Sequence, residues 1–253
     1  MKESTPMKFP DQIPPGLDAI TEKLGIAVGP SDGQGRLLWV SDPAWVRDAL
    51  GVLGIDCVLG KPQEGSTGSL TIPWPSEAEA ASQIAQALST ALAPEAILLD
   101  LDGVLLDVGG GYPNALGGLS NIATLAQRLP LGVVTGLGRG QAKRLLASSG
   151  IAPLLTEVIS ADDATPKPSP DPVRLCLQRL GVANAWMLGD NLTDMTAARL
   201  AGVIPLGVRP AGWSRWTEDR RLKHSSALRA EGAARVIDGI ADVLPLLMAQ
   251  RAS

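Results

Sequence analysis

One stretch limits the folds open to this chain more than any other: Ala96-Ile97-Leu98-Leu99-Asp100-Leu101-Asp102-Gly103-Val104-Leu105-Leu106-Asp107. Four apolar residues run directly into an acid. A strand buried on both faces, as in a parallel sheet, has this pattern and would end where the acid begins. In open α/β sheets the chemistry sits just beyond the carboxyl ends of such strands. Asp100 and Asp102 are two residues apart, so an extended backbone carried past Asp100 would turn both to one side. Carboxylates held there repel each other, and a bound cation, or a split into nucleophile and acid, would relieve the repulsion. A plain Asp-Gly turn after a strand would show the same residues with no chemistry attached.

Three further segments bear on the choice. Leu131-Gly132-Val133-Val134-Thr135-Gly136 is a second short apolar run and ends in a hydroxyl. Thr165-Pro166-Lys167-Pro168 isolates a lysine between prolines, which restrain its backbone. Trp186-Met187-Leu188-Gly189-Asp190-Asn191-Leu192-Thr193-Asp194 is a third apolar run that ends in paired acids. In this order the segments resemble the motifs of the haloacid dehalogenase-like (HAD) phosphohydrolase superfamily, over roughly residues 95–245. The resemblance implies an α/β fold, a HAD-like Rossmannoid parallel sheet with helices on both faces.

It also implies roles. Asp100 is the expected nucleophile, forming an aspartyl-phosphate that water hydrolyses. Asp102 is the expected general acid and then base; the dehalogenases of the superfamily lack an acid there, so halide chemistry is disfavoured. Thr135, with the Gly136 amide, would hold a phosphoryl oxygen, and Gly103 would lie against the phosphate. Lys167 would supply a fixed cation for phosphate and nucleophile. Mg²⁺ is the implied cofactor, held by Asp100, the Asp102 backbone carbonyl and Asp190, with Asp194 binding directly or through water. An acid placed for the helix dipole is the other reading of Asp194, and both can hold together. The expected activity is therefore phosphomonoester hydrolysis on a small phosphorylated metabolite. A phosphomutase or phosphotransferase, or a binding module with a vestigial site, are the alternatives.

Composition narrows the class. With 45% hydrophobic and 19% charged residues, the chain of 253 residues can fill a core. A net charge of −4 argues against nucleic acid as a partner. Cys57 and Cys176 have no metal or redox spacing and read as reduced thiols, in keeping with a cytoplasmic protein. The N-terminus lacks the apolar core of a signal peptide, and no apolar stretch is long enough to span a bilayer, so no membrane role is expected.

Two domains are expected, a small α+β domain over residues 1–94 and the catalytic core over 95–253. In the first, residues 1–16 read as a loose lead-in, 17–24 as a helix and 29–35 as a loop. Strands follow at 36–40, 55–59 and 69–74, with helices at 43–53 and 75–92. This order resembles the small C-terminal domain of histidinol-phosphate-type aminotransferases. The large cofactor domain of that family is absent, and Ser69 stands where the family usually carries a substrate-binding arginine, so a packing scaffold is the implied role. From Glu95 strands are expected at 96–101, 131–135, 155–160, 185–189 and 203–207. Helices are expected at 119–129, 138–149, 171–180, 193–201 and 236–248.

The segment between Asp107 and the next helix, Val108 to Gly118, is too short for an independent lid. Water exclusion would then fall to the N-terminal domain, to a second copy in a homodimer, or to the substrate; the alternative is an open site. The tryptophan-bearing segment Gly212-Trp213-Ser214-Arg215-Trp216 and the basic run Arg220 to His224 read as a charged loop near the site rim or as a contact patch. His224 reads as a surface residue.

Overall fold

Residues 27–31, 36–40, 42–60, 68–73, 78–108 and 114–249 are described by the computed structural model. The expected helix at 17–24, most of the loop at 61–68 and residues 109–113 lie outside them. The chain begins with β1 (Ala27–Ser31), β2 (Arg36–Trp39), α1 (Pro43–Val52), β3 (Val58–Leu59), β4 (Ser69–Ile72) and α2 (Ala78–Leu92). The strands pair antiparallel in the order β1-β2-β4-β3. The loop expected at Gly29-Pro30-Ser31 is instead the end of β1. Proline lacks an N–H to donate, and β1 is an edge strand, where that lack is tolerated. Asp42 caps α1, its carboxylate accepting from Trp45 N at 2.9 Å.

The second half runs β5 (Ala96–Leu99), β6 (Leu106–Asp107), β7 (Asn114–Ala115), α3 (Leu119–Ala126), β8 (Leu131–Val134), α4 (Arg139–Ser148), β9 (Glu157–Ile159) and α5 (Asp171–Leu180). It continues through β10 (Ala185–Gly189), α6 (Leu192–Leu200), β11 (Ile204–Val208), α7 (Glu218–Ala230), β12 (Arg235–Ile237) and α8 (Val243–Ala249). Six strands form one parallel sheet in the order β12-β11-β10-β5-β8-β9. After β9 the chain returns to pair β10 with β5, so the strand order reverses beside β5. Ligands of open α/β sheets bind at such a reversal.

Side chains of β5 alternate between two packed layers. Ile97 and Leu99 join the cluster built with α2, α3, α4 and α8, while Ala96 and Leu98 join that of α5 and α6. The N-terminal segment belongs to the first layer. Trp45 of α1 and Trp186 of β10 are fully buried edge to face, ring centroids 5.0 Å apart. Both indoles donate to the last turn of α2, Trp45 to Ala91 O at 2.9 Å and Trp186 to Thr90 O at 2.7 Å.

Two expectations in the last third are corrected. Val236 and Ile237 are not helical but pair in β12 with β11, and the tail helix begins only at Val243. The charged segment after Trp216 is not a loop but α7, capped by Thr217 and started by Glu218 and Asp219. Only Leu228 of α7 is fully buried, so the helix carries almost no apolar period to read. No described helix is long and apolar enough to cross a membrane.

Candidate active site

Three adjacent strands end in polar residues at one rim. Asp100 follows β5, Thr135 follows β8 and Asp190 follows β10. Asp100 and Thr135 stay in the ladder, their amides donating to Leu188 O and Ile159 O at 2.9 Å each. That holds the side chains at fixed positions above the sheet. After Asp100 the chain turns tightly, with the amides of Leu105 and Leu106 donating to Leu101 O and the Gly103 amide to Leu106 O. The turn leads into the hairpin β6–β7, and α3 follows at once.

The eight residues given site roles from the sequence meet in one cavity of about 410 Å³. Its walls include Asp100, Asp102, Gly103, Thr135, Gly136, Lys167, Asp190 and Asp194. Asp100 is 6% exposed, Asp194 1% and Thr135 5%, whereas Asp102 is exposed. The Lys167 ammonium donates to Asp100 Oδ1 at 2.7 Å and to Val134 O at 2.8 Å, and pairs with Asp194 Oδ1 at 2.5 Å. Its ammonium thus bridges two carboxylates and a strand-end carbonyl. The other oxygen of Asp194 accepts from Asn191 N at 3.1 Å in a capping box at the start of α6. Asp194 thus stands in the first turn of α6, where an acid suits the helix dipole, and beside Lys167.

The electrostatics are unbalanced. Burial first, then Asp194, raise the Asp100 carboxyl to about 6, and Lys167 pulls the other way. Burial first, then Asp100 and Asp194, raise Asp190 to about 7. Lys167 is held above the usual lysine value by Asp194 and Asp100, although burial, the largest influence, opposes this. Oxygens of Asp100, Asp190 and Asp194 lie within 4.8 Å of one another. This donor set is all oxygen and in excess of the one lysine, so it fits a hard divalent cation. The Asp102 carboxylate stands outside the trio.

The sequence reading missed several wall residues: Leu137, Pro166, Asn191, Thr193, Pro210 and Ala211. Asn191 was recoverable from its place beside Asp190, whose Oδ1 accepts from its amide at 2.7 Å. His224 is not a surface residue. It is half-buried and faces the Asp190 backbone, and its Nε2 is enclosed with no hydrogen-bond partner among the described residues. No described residue before Asp100 lines the cavity. The described part of the N-terminal segment packs on the sheet face and at the β12 start, where Arg235 pairs with Asp42 at 3.1 Å.

Residues 115–208 match the family model described as haloacid dehalogenase-like hydrolase. A phosphoglycolate phosphatase of Rhodospirillum rubrum is 41% identical over 107 residues, which are 41% of this chain and 43% of that protein. Pyrophosphatase PpaX of Bacillus velezensis is 35% identical over 117 residues, 45% of this chain and 50% of the relative. An imidazoleglycerol-phosphate dehydratase of Phytophthora nicotianae is 42% identical over 88 residues, 33% of this chain and 20% of that protein. The chain thus spans at most half the length of these relatives. Among solved structures, a HAD family hydrolase of Deinococcus radiodurans has a TM-score of 0.53 at 17% identity, covering 64% of this chain and 99% of the other. A protein from Thermotoga maritima described as a beta-phosphoglucomutase scores 0.51 at 18% identity, covering 60% and 98%. These likenesses establish the fold.

Proposed function

We propose that this chain, whose residues 115–208 carry a haloacid dehalogenase-like hydrolase domain, is a Mg²⁺-dependent phosphomonoester hydrolase working through an aspartyl-phosphate. One observation supports the reading most: Asp100, Asp102, Thr135, Lys167, Asp190 and Asp194 converge in a single cavity at the strand-order reversal. Asp100, held by Lys167, presents an oxygen to phosphorus. The new O–P bond forms as the ester P–O bond breaks, and Asp102 gives its proton to the departing alkoxide. Asp102, now ionised, takes a proton from water as that water attacks phosphorus. Inorganic phosphate leaves and the Asp100 carboxylate is restored. Thr135 and the Gly136 amide hold the transferring oxygens. Asp100, the Asp102 carbonyl, Asp190 and Asp194 would hold Mg²⁺, which supplies charge neutralisation on the phosphoryl oxygens when bound.

The exposed Asp102 favours hydrolysis over transfer to a second alcohol, because water reaches the base directly. The substrate is a small phosphorylated metabolite. The N-terminal segment serves as a packing scaffold. Replacing Asp100→Asn leaves shape and size almost unchanged and removes the nucleophile. Turnover of 4-nitrophenyl phosphate is expected to fall about 10³-fold or more, with an unchanged circular-dichroism spectrum. Retained turnover would defeat the covalent route.

A further inference from the structure

A second cavity of about 480 Å³ adjoins the catalytic one, and Gly103, Pro210 and Ala211 are walls of both. Its remaining walls include Val104, Ile240, Trp213 and the rim residues Arg209 and Asp238. Arg209 and Asp238 form an ion pair, which places one donor group and one acceptor group at the edge. The segment that carries Trp213 is braced from several directions. The rings of Trp213 and Trp216 lie 5.3 Å apart, and His224 of α7 meets both edge-on, at 5.9 and 5.3 Å. Arg221 donates to Trp213 O at 3.0 Å and to Ser214 O at 2.7 Å. The Arg209 guanidinium stands 5.5 Å from the Trp213 ring. His224 also faces the Asp190 backbone.

We infer that this second cavity receives the alcohol part of the substrate, that Trp213 is a specificity-determining residue, and that Trp216 and His224 are its positioning residues. The inference rests on the phosphohydrolase reading of the first cavity. With phosphorus at Asp100, the ester oxygen must leave through a neighbouring space. The cavity beyond Gly103 and Ala211 adjoins that point and is of the size that holds a small metabolite. An indole offers a flat apolar wall, and the Arg209–Asp238 pair offers hydrogen bonds of both kinds at the rim. The substrate class that fits is a phosphomonoester of a compact, ring-sized alcohol with polar groups at its far end. The segment 209–224 thus takes the selective role of the lid that the hairpin β6–β7 is too short to form.

The test compares kcat/KM for 4-nitrophenyl phosphate, which has a ring-sized leaving group, with that for ethyl phosphate, which barely enters the second cavity. In Trp213→Ala the ratio of the two constants should fall about tenfold, and in Trp213→Phe it should be largely restored. Ala211→Leu, which narrows the junction, should lower the same ratio without touching the aromatic cluster. His224→Ala should raise KM for the ring-bearing ester more than it lowers kcat. Equal losses on both esters, or an unmoved ratio in Trp213→Ala and Ala211→Leu, overturn the inference and leave the hydrolase reading standing. If the unaltered protein with Mg²⁺ hydrolyses neither ester, the hydrolase reading fails and this inference with it.

Discussion

The Cβ that Gly103 lacks would stand 2.2 Å from Oδ2 of Asp190. Gly103 also holds a φ of +86°, a backbone region that side chains disfavour by about 1–2 kcal/mol. Two demands therefore fall on one residue, the tight turn after Asp102 and the approach of an acid from a different strand. Gly189 meets a similar demand, its missing Cβ falling 2.2 Å from Cβ of Asp194. The two glycines thus make room for Asp190 and Asp194, two of the three carboxylates whose oxygens lie within 4.8 Å of one another.

From this, Gly103→Ala should displace Asp190 while leaving Asp100 and Lys167 in place. The expected outcome is a Mg²⁺ concentration for half-maximal turnover raised about tenfold or more, with a loss of stability on the order of 1–3 kcal/mol. A Mg²⁺ titration of turnover beside a thermal melt checks it. An unchanged titration would show that Asp190 takes no part in holding the metal.

The raised carboxyl values give a pH dependence whose sign is fixed. Asp100 at about 6 and Asp190 at about 7 both lie above the ordinary 3.8. Their protonated forms are the ones the metal-free fold favours. The stability they contribute is therefore complete below the unfolded value and is lost as pH rises through about 6 to 7. Mg²⁺ binds the ionised forms and must displace those protons. The rise in melting temperature on adding Mg²⁺ should be near zero at about pH 5 and several degrees at about pH 8. Equal Mg²⁺-induced rises at both pH values would contradict the three-carboxylate site.

The sheet was legible because its signal is strong and local. The apolar runs at Ala96, Leu131 and Ala185 each end in a polar residue, and each became a strand with that residue at the rim. The residues of the acid cluster were legible for the same reason: each sits at a strand end or in the first turn after one. What escaped has different physics. Residues of α7 make few apolar contacts, so the helix is specified by Thr217 and its first-turn acids rather than by periodicity. The seating of His224 between two indoles and the Asp190 backbone depends on how α7 folds back, which no local pattern records. Likewise Pro210 and Ala211 reach the cavity only because β11 lies beside β10.

The N-terminal segment shares its core with the six-stranded sheet. Ile97 and Leu99 of β5, Trp186 and Leu188 of β10, and Ile204 and Leu206 of β11 belong to the same buried cluster as Trp45, Leu50, Leu88 and Leu92. Removing residues 1–94 would bare that face of the sheet, and contiguous apolar surface of this kind drives aggregation. No described residue before Asp100 lines the cavity at the strand ends. A fragment of residues 95–253 is therefore expected to be insoluble or to melt far below the full chain. A milder probe is Trp45→Ala in the full chain. It empties a fully buried indole site, leaves the Ala91 carbonyl without its donor and takes the edge-on partner from Trp186. The expected loss is about 3–5 kcal/mol in a denaturant titration, with KM for 4-nitrophenyl phosphate unchanged in the folded fraction. A soluble 95–253 fragment with the melting temperature of the full chain, or a Trp45→Ala protein of full stability, would show that the shared core contributes little. A shifted KM with full stability would instead place the N-terminal segment in the substrate's path.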